Sequence, residues 1–132
     1  MTPQRIPKLA TGYAFLAGAT DFGTGLLLMG APSIALRLML IPLPGAEALV
    51  FVRFVGAFVA AVGSMYLWAA VRPRERLRVV LGVTVLPRLF AGTFALVAAW
   101  SRRLPLPWLS VTATDYMFVL VQAWLLTRPL AE

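Results

Sequence analysis

From Phe54 to Val71 the chain carries no charged residue, and the apolar stretch that contains this run extends from about Glu47 to Val71. A helix needs about 20 mostly apolar residues to cross a hydrocarbon core of roughly 30 Å. Three further stretches reach that length with one charged residue deep inside each: 9–30 with Asp21, 77–100 with Arg88 (Arg78 lies at its edge) and 106–127 with Asp115. Composition agrees with this pattern. Of 132 residues, 61% are hydrophobic and 13% charged, against about half and about a quarter in soluble domains. A water-soluble sphere of this size has too little interior to hide so much apolar surface. The solvent expected for most of the chain is lipid, which excludes a soluble enzyme and an ordinary nucleic-acid-binding domain.

The four stretches predict an all-α integral membrane protein: one transmembrane domain over residues 1–132, built as a four-helix bundle with helices at about 9–30, 47–71, 77–100 and 106–127. The connections carry their own breakers. Ala31-Pro32-Ser33 ends the first helix, because proline lacks an amide proton and turns its predecessor away from helix. Ile34 to Ile41, apolar apart from Arg37, is too short to span and reads as a short interfacial helix. Pro42-Leu43-Pro44-Gly45, the charged turn Arg72 to Arg76, and Leu104-Pro105-Leu106-Pro107 complete the connections. Loops this short imply an up-down antiparallel order. Arg5 and Lys8 before an apolar run, with Ala17-Gly18-Ala19 after it, also match a cleavable signal peptide, a competing reading of the first stretch.

Basic residues set orientation. With the N-terminus inside, Arg5, Lys8, Arg72, Arg74, Arg76, Arg78 and Arg128 share one side, against Arg37, Arg102 and Arg103 on the other. The positive-inside rule therefore places both termini in the cytoplasm. Trp68 and Trp124 fall near the inner interface and Trp100 and Trp108 near the outer one, as aromatic anchors do. The run Arg72, Arg74, Arg76 and Arg78 reads as a headgroup or partner contact, with anionic lipid as the chemical match. The net charge of +7 follows from this rim. Nucleic acid is not expected, since the run adjoins two spans and lacks an aromatic platform for bases.

The distinctive feature is a set of ionisable residues inside the spans: Asp21, Arg53, Arg88 and Asp115. Helical rise puts Asp21 at roughly 14 Å and Arg88 at roughly 18 Å below the outer surface, with Arg53 at roughly 9 Å and Asp115 at roughly 12 Å. An Arg or Asp at a helix centre costs about 2.5–3.5 kcal/mol to insert, so all four should face inward and pair. Depth predicts Asp21 with Arg88 and Asp115 with Arg53. Each charge shares its face with small or polar residues: Ala14, Gly18 and Gly25 in the first helix, and Gly56, Ala57, Ala60 and Ser64 in the second. Thr84, Ala91, Gly92, Ala95 and Ala99 do so in the third, and Thr112, Val119 and Gln122 in the fourth. Small residues mark helix contacts in lipid. Pro87 should kink the third helix by removing the bond to the Val83 carbonyl. If the fourth helix instead began later, Ser110 to Asp115 would be a capping segment.

No His or Cys is present, which removes disulfides, thiol nucleophiles, imidazole or thiolate metal ligands and the usual haem ligands. Ser64 and Ser110 therefore have no base of those types beside them, and no catalytic, cofactor-binding or metal-binding residue is assigned. The glycines of the first helix follow no strand, so they read as packing residues and not as a phosphate loop.

The layout resembles the DoxX-like group of small four-helix bacterial membrane proteins. The resembling residues are Gly25-Leu26-Leu27-Leu28 leading to Ala31-Pro32, then Arg53-Phe54-Val55-Gly56-Ala57 with Gly63, the basic turn at Arg72 to Arg78 and the late Asp115. The resemblance implies a bacterial inner-membrane protein, in some relatives a subunit of quinone-linked oxidoreductases. The expected role is a non-catalytic accessory or structural subunit that packs against partner membrane proteins or itself. It would have no cofactor of its own, although a bound lipid or quinone is compatible with the fold. The alternative is a small transporter or a lipid- or quinone-binding protein that uses the Asp/Arg cluster.

Overall fold

A computed structural model describes residues 5–129, and every regular element within them is helical. Helix α1 spans Arg5–Gly30, the short α2 spans Pro32–Leu38, and α3 spans Ala46–Ala70. Helices α4 (Arg74–Val83) and α5 (Val85–Trp100) are separated by Thr84 alone, and a 3-10 turn at Leu106–Trp108 leads into α6 (Leu109–Leu126). The segment expected as a short helix between the first two stretches is α2, with Pro32 in its first turn, where the missing amide proton removes no helical bond.

Two helix ends turn in a way that no glycine announces. Leu40 after α2 and Arg102 after α5 have φ of 58° and 57°. Behind each, paired backbone bonds close the helix: Ile41 to the Leu36 carbonyl and Leu40 to that of Arg37, then Arg103 to Ala98 and Arg102 to Ala99. This is the Schellman closure, formed here with side-chain-bearing residues in the left-handed region. Each costs on the order of 1 kcal/mol, offset by carbonyls that would otherwise lack donors.

Among the described residues three helices are long and apolar enough to cross a membrane: Ala46–Ala70, Leu106–Leu126, and Arg74–Trp100 taken as one rod. Helix α1, with 26 residues, has the length, but Asp21 and its interspersed glycines and threonines dilute its apolar content.

Packing divides the helices into two intimate pairs, α1 with α3 and α5 with α6, while α4 touches α1, α3 and α6 and joins them. One core cluster lies where α1, α3, α4 and α6 converge, around Ala10, Tyr13, Tyr66, Leu77, Leu81 and Leu125. A second, around Leu28, Leu36 and Ile41, seals the end carrying α2, with Trp108 packed against it. Large apolar side chains instead line the outside, including Phe51, Phe54 and Phe58 on α3 and Phe90 and Phe94 on α5. Apolar surface is placed as a lipid solvent would place it.

The α1–α3 contact explains why small residues recur on both helices. A methyl group added at Gly25 would overlap the backbone nitrogen of Ala60, and one at Gly63 would overlap the backbone of Phe22. The two backbones are close enough to exclude any side chain at those crossings, which is how helices attract one another without a hydrophobic driving force. Around Gly12 and Gly23 there is open space. Gly25→Ala and Gly63→Ala should each lower the thermal unfolding midpoint of the detergent-solubilised protein, read by far-ultraviolet circular dichroism. Gly12→Ala and Gly23→Ala should leave it unchanged or raise it, since alanine favours helix by up to about 1 kcal/mol.

Candidate functional site

The polar centre of the molecule is one guanidinium. Arg88 sits one turn into α5, with its side chain 4% exposed. Nη2 donates to Oδ2 of Asp21 on α1 at 2.5 Å, Nη1 to Oδ1 of Asp115 on α6 at 2.9 Å, and Nε to the Tyr66 hydroxyl on α3 at 3.0 Å. The Phe118 ring lies 4.4 Å from the guanidinium carbon, and the Tyr66 ring 5.3 Å from it. Tyr13 stands edge-on to both rings and donates to the Phe118 carbonyl at 3.3 Å. Charge-assisted bonds of this length are among the strong ones, and apolar surroundings strengthen them further.

Three elements aim the parts. Gly92, one turn beyond Arg88, lets α6 approach until a methyl there would crowd Tyr116 and Asp115, and Thr112 donates to the Gly92 carbonyl at 2.9 Å. The Gly63 crossing fixes the backbone of Asp21 and Phe22 against α3, one turn from Tyr66. The interruption at Thr84 sits one turn before Arg88, next to Pro87, which cannot donate to the Val83 carbonyl. There the Thr84 hydroxyl donates to the Val80 carbonyl at 2.6 Å, and Gln122 of α6 donates to the Leu81 carbonyl at 2.9 Å and to Thr84 Oγ1 at 2.8 Å. Side chains thus serve backbone groups around the break, as broken helices in apolar surroundings require. Gln122 is fully buried, and its Oε1 has no partner among the described residues.

The sequence-derived cluster needs two corrections. Arg53 is not part of it: its side chain is exposed and donates to the carbonyl of Met29, in the last turn of α1. Those final carbonyls lack helical donors and carry the negative end of the helix dipole, so a cation there has a partner that needs no carboxylate. Asp115 accordingly pairs with Arg88 and not with Arg53. Nor is Asp115 a cap, because α6 begins at Leu109 and the preceding turn at Leu106. On α3 the buried stripe is Gly56, Ala60, Gly63, Tyr66 and Ala69, while Ala57 and Ser64 face outward; on α5 Ala91 is likewise exposed.

Tyr66, Tyr13 and Phe118 were not singled out from the sequence. Tyr66 was legible in principle, being three residues beyond Gly63 on the small-residue face and the one phenol in its helix.

Arg72, Arg74, Arg76, Arg78 and Arg128 gather at the end of the molecule where α3 ends, α4 begins and α6 ends. The guanidinium carbons of Arg72 and Arg76 lie 5.5 and 5.6 Å from the Trp68 ring centroid, and that of Arg128 lies 5.4 Å from Trp124. Arg78 donates to the Leu126 carbonyl at 3.3 Å, tying α4 to the end of α6, and Arg74 opens α4. Trp100 is 85% exposed at the far end of α5.

No family model, no curated protein and no solved structure matches the chain. The site is therefore read from its geometry. Among the described residues no group of His, Cys, Asp and Glu side chains is placed to hold a metal ion. The two carboxylates share one cation and bracket it, so neither is aimed at the other as a catalytic acid–base pair would be.

Removing one member of a buried ion network and leaving its partners costs about 3–5 kcal/mol, whereas removing all charges together costs far less. Arg88→Gln should therefore sharply lower the unfolding midpoint in detergent, and the triple variant Arg88→Gln, Asp21→Asn, Asp115→Asn should recover much of the loss. Arg53→Gln should leave the midpoint unchanged.

Proposed function

We propose that the chain is a small multi-pass protein of the bacterial inner membrane, an up-down four-helix bundle with both termini cytoplasmic. In this reading α1, α3, the α4–α5 rod and α6 are the four spans, and α2 lies at the outer interface. It serves as a non-catalytic accessory subunit, as the resemblance to the DoxX-like group implies. The observation that carries the reading is the state of Arg88. Its three donor nitrogens are each occupied by groups on three other helices, which is the geometry of a lock between helices. Alongside it, the aromatic face of α3, with Phe54 and Phe58 in edge-to-face contact at 4.9 Å, is turned away from the core and suits a neighbouring subunit or a second copy.

Two measurements test this proposal. The chain has no cysteine, so a single introduced thiol labels without background. A cysteine at Gly45 or Arg103 should react with an impermeant maleimide in intact cells, and one at Arg74 only after permeabilisation. The reverse pattern would overturn the orientation. A photocrosslinking amino acid at Phe54 should yield one discrete protein adduct, a partner or a self-dimer. Adducts to lipid alone would overturn the accessory role.

A second reading is favoured by the charge count. Two carboxylates on one guanidinium carry a net of one negative charge when both are ionised, which a proton or a monovalent cation would neutralise. On that reading the protein is a small transporter. It requires proteoliposomes to conduct protons or cations under an imposed potential, with flux lost in Asp115→Asn; flux equal to that of protein-free vesicles rejects it.

A further inference from the structure

We propose that the groove beside Trp68 is a binding site for a single anionic phospholipid, an inference that rests on the membrane reading above. The groove has a volume of about 300 Å³ and is lined by Trp68, Glu75, Arg76, Val79 and Val80. Its walls are the indole and two valines, and its mouth is charged. The guanidinium carbons of Arg76 in the lining and of Arg72 beside it lie 5.6 and 5.5 Å from the Trp68 ring centroid, and neither guanidinium forms an ion pair among the described residues. Glu75 is the one acid in the lining, so the pair of arginines leaves the mouth with a net positive charge.

A topogenic arginine needs only to lie on the correct side of the membrane. It has no need of a ring beneath it or of an apolar channel beside it. A cation held over a ring face makes no hydrogen bond to it, which leaves N–H groups for a phosphate oxygen pair. Trp68 is 45% exposed and stands at the interface depth where indoles settle. Below the mouth, Val79, Val83 and Leu86 follow one another on a single exposed face of the α4–α5 rod, spaced by four and three residues. The phosphodiester fits at Arg72 and Arg76, the first methylenes against Val79 and Val80, and the rest of the acyl chain along that strip. Charge at the mouth selects an anionic headgroup over a zwitterionic one.

The test uses the full chain with Trp100, Trp108 and Trp124 replaced by Phe, so that Trp68 is the only indole. It is reconstituted into phosphatidylcholine vesicles containing a minor fraction of dibrominated phosphatidylglycerol or, separately, dibrominated phosphatidylcholine. Brominated phosphatidylglycerol should quench Trp68 with an apparent preference of about fivefold, the order expected for two basic side chains partly offset by one acid. Arg72→Gln with Arg76→Gln should abolish the preference, and Arg102→Gln with Arg103→Gln, at the opposite end, should retain it. Glu75→Gln should raise it, a gain that a misfolded variant cannot mimic. Equal quenching by the two lipids in the otherwise unchanged chain, or a preference that survives loss of Arg72 and Arg76, overturns the site while leaving the membrane reading intact. Absence of quenching by either lipid overturns both.

Discussion

A cation buried in apolar surroundings must be matched or expelled, and Arg88 is matched by three other helices at once. Desolvating a guanidinium and two carboxylates is expensive, and only close, well-oriented partners return the cost. Here the return depends on placing Asp21, Tyr66 and Asp115 around one side chain, so the energy of the network is also a constraint on helix positions. The two helix pairs approach one another chiefly through α4. The side chains of Arg88, Tyr66, Tyr13 and Phe118 fill the space between them.

The close crossings serve that centre. Where the α1 and α3 backbones meet at Gly25 and Gly63, rotation or sliding of one helix along the other would drive side chains into backbone, so the register of Asp21 relative to Tyr66 is fixed. Gly92 does the same for Asp115 relative to Arg88. Small residues and buried charges are thus two parts of one device: the first sets distance, the second sets which helices belong together. The interruption at Thr84, just below the arginine, is held by Gln122 and the Thr84 hydroxyl, which serve the backbone there and tie the rod to α6.

Much of this was legible in the sequence. Hydropathy located the long helices to within a few residues, because a long apolar run has few alternatives. Asp21, Arg88 and Asp115 stood out because charges are rare in such runs, and similar depth near the midplane found the Asp21–Arg88 contact. Similar depth failed for Arg53, since depth says nothing of azimuth and a helix end offers carbonyls as an alternative partner. The turns at Leu40 and Arg102 were hidden because their signal is a glycine that is absent. Tyr66 could be placed on the small-residue face by its spacing from Gly63, but its role could not be read, because an aromatic in such a helix reads as bulk until a donor is found beside its hydroxyl.

The order of the chain gives the Arg88 network a temporal side. Asp21 precedes Arg88 by 67 residues, and Asp115 follows it by 27. Synthesis makes the first acid before its base and the second after it, so the Asp21 contact waits for α5 and the Asp115 contact for α6. The glycine-lined crossing of α1 with α3 involves no charge, and all of it is made before the α4–α5 rod. In chain order the network gains its members one at a time: Asp21 on α1, Tyr66 on α3, Arg88 on α5 and, last, Asp115 on α6. A chain ending before α6 would leave the arginine with one of its two carboxylates, so the last helix supplies the second arm of the bracket.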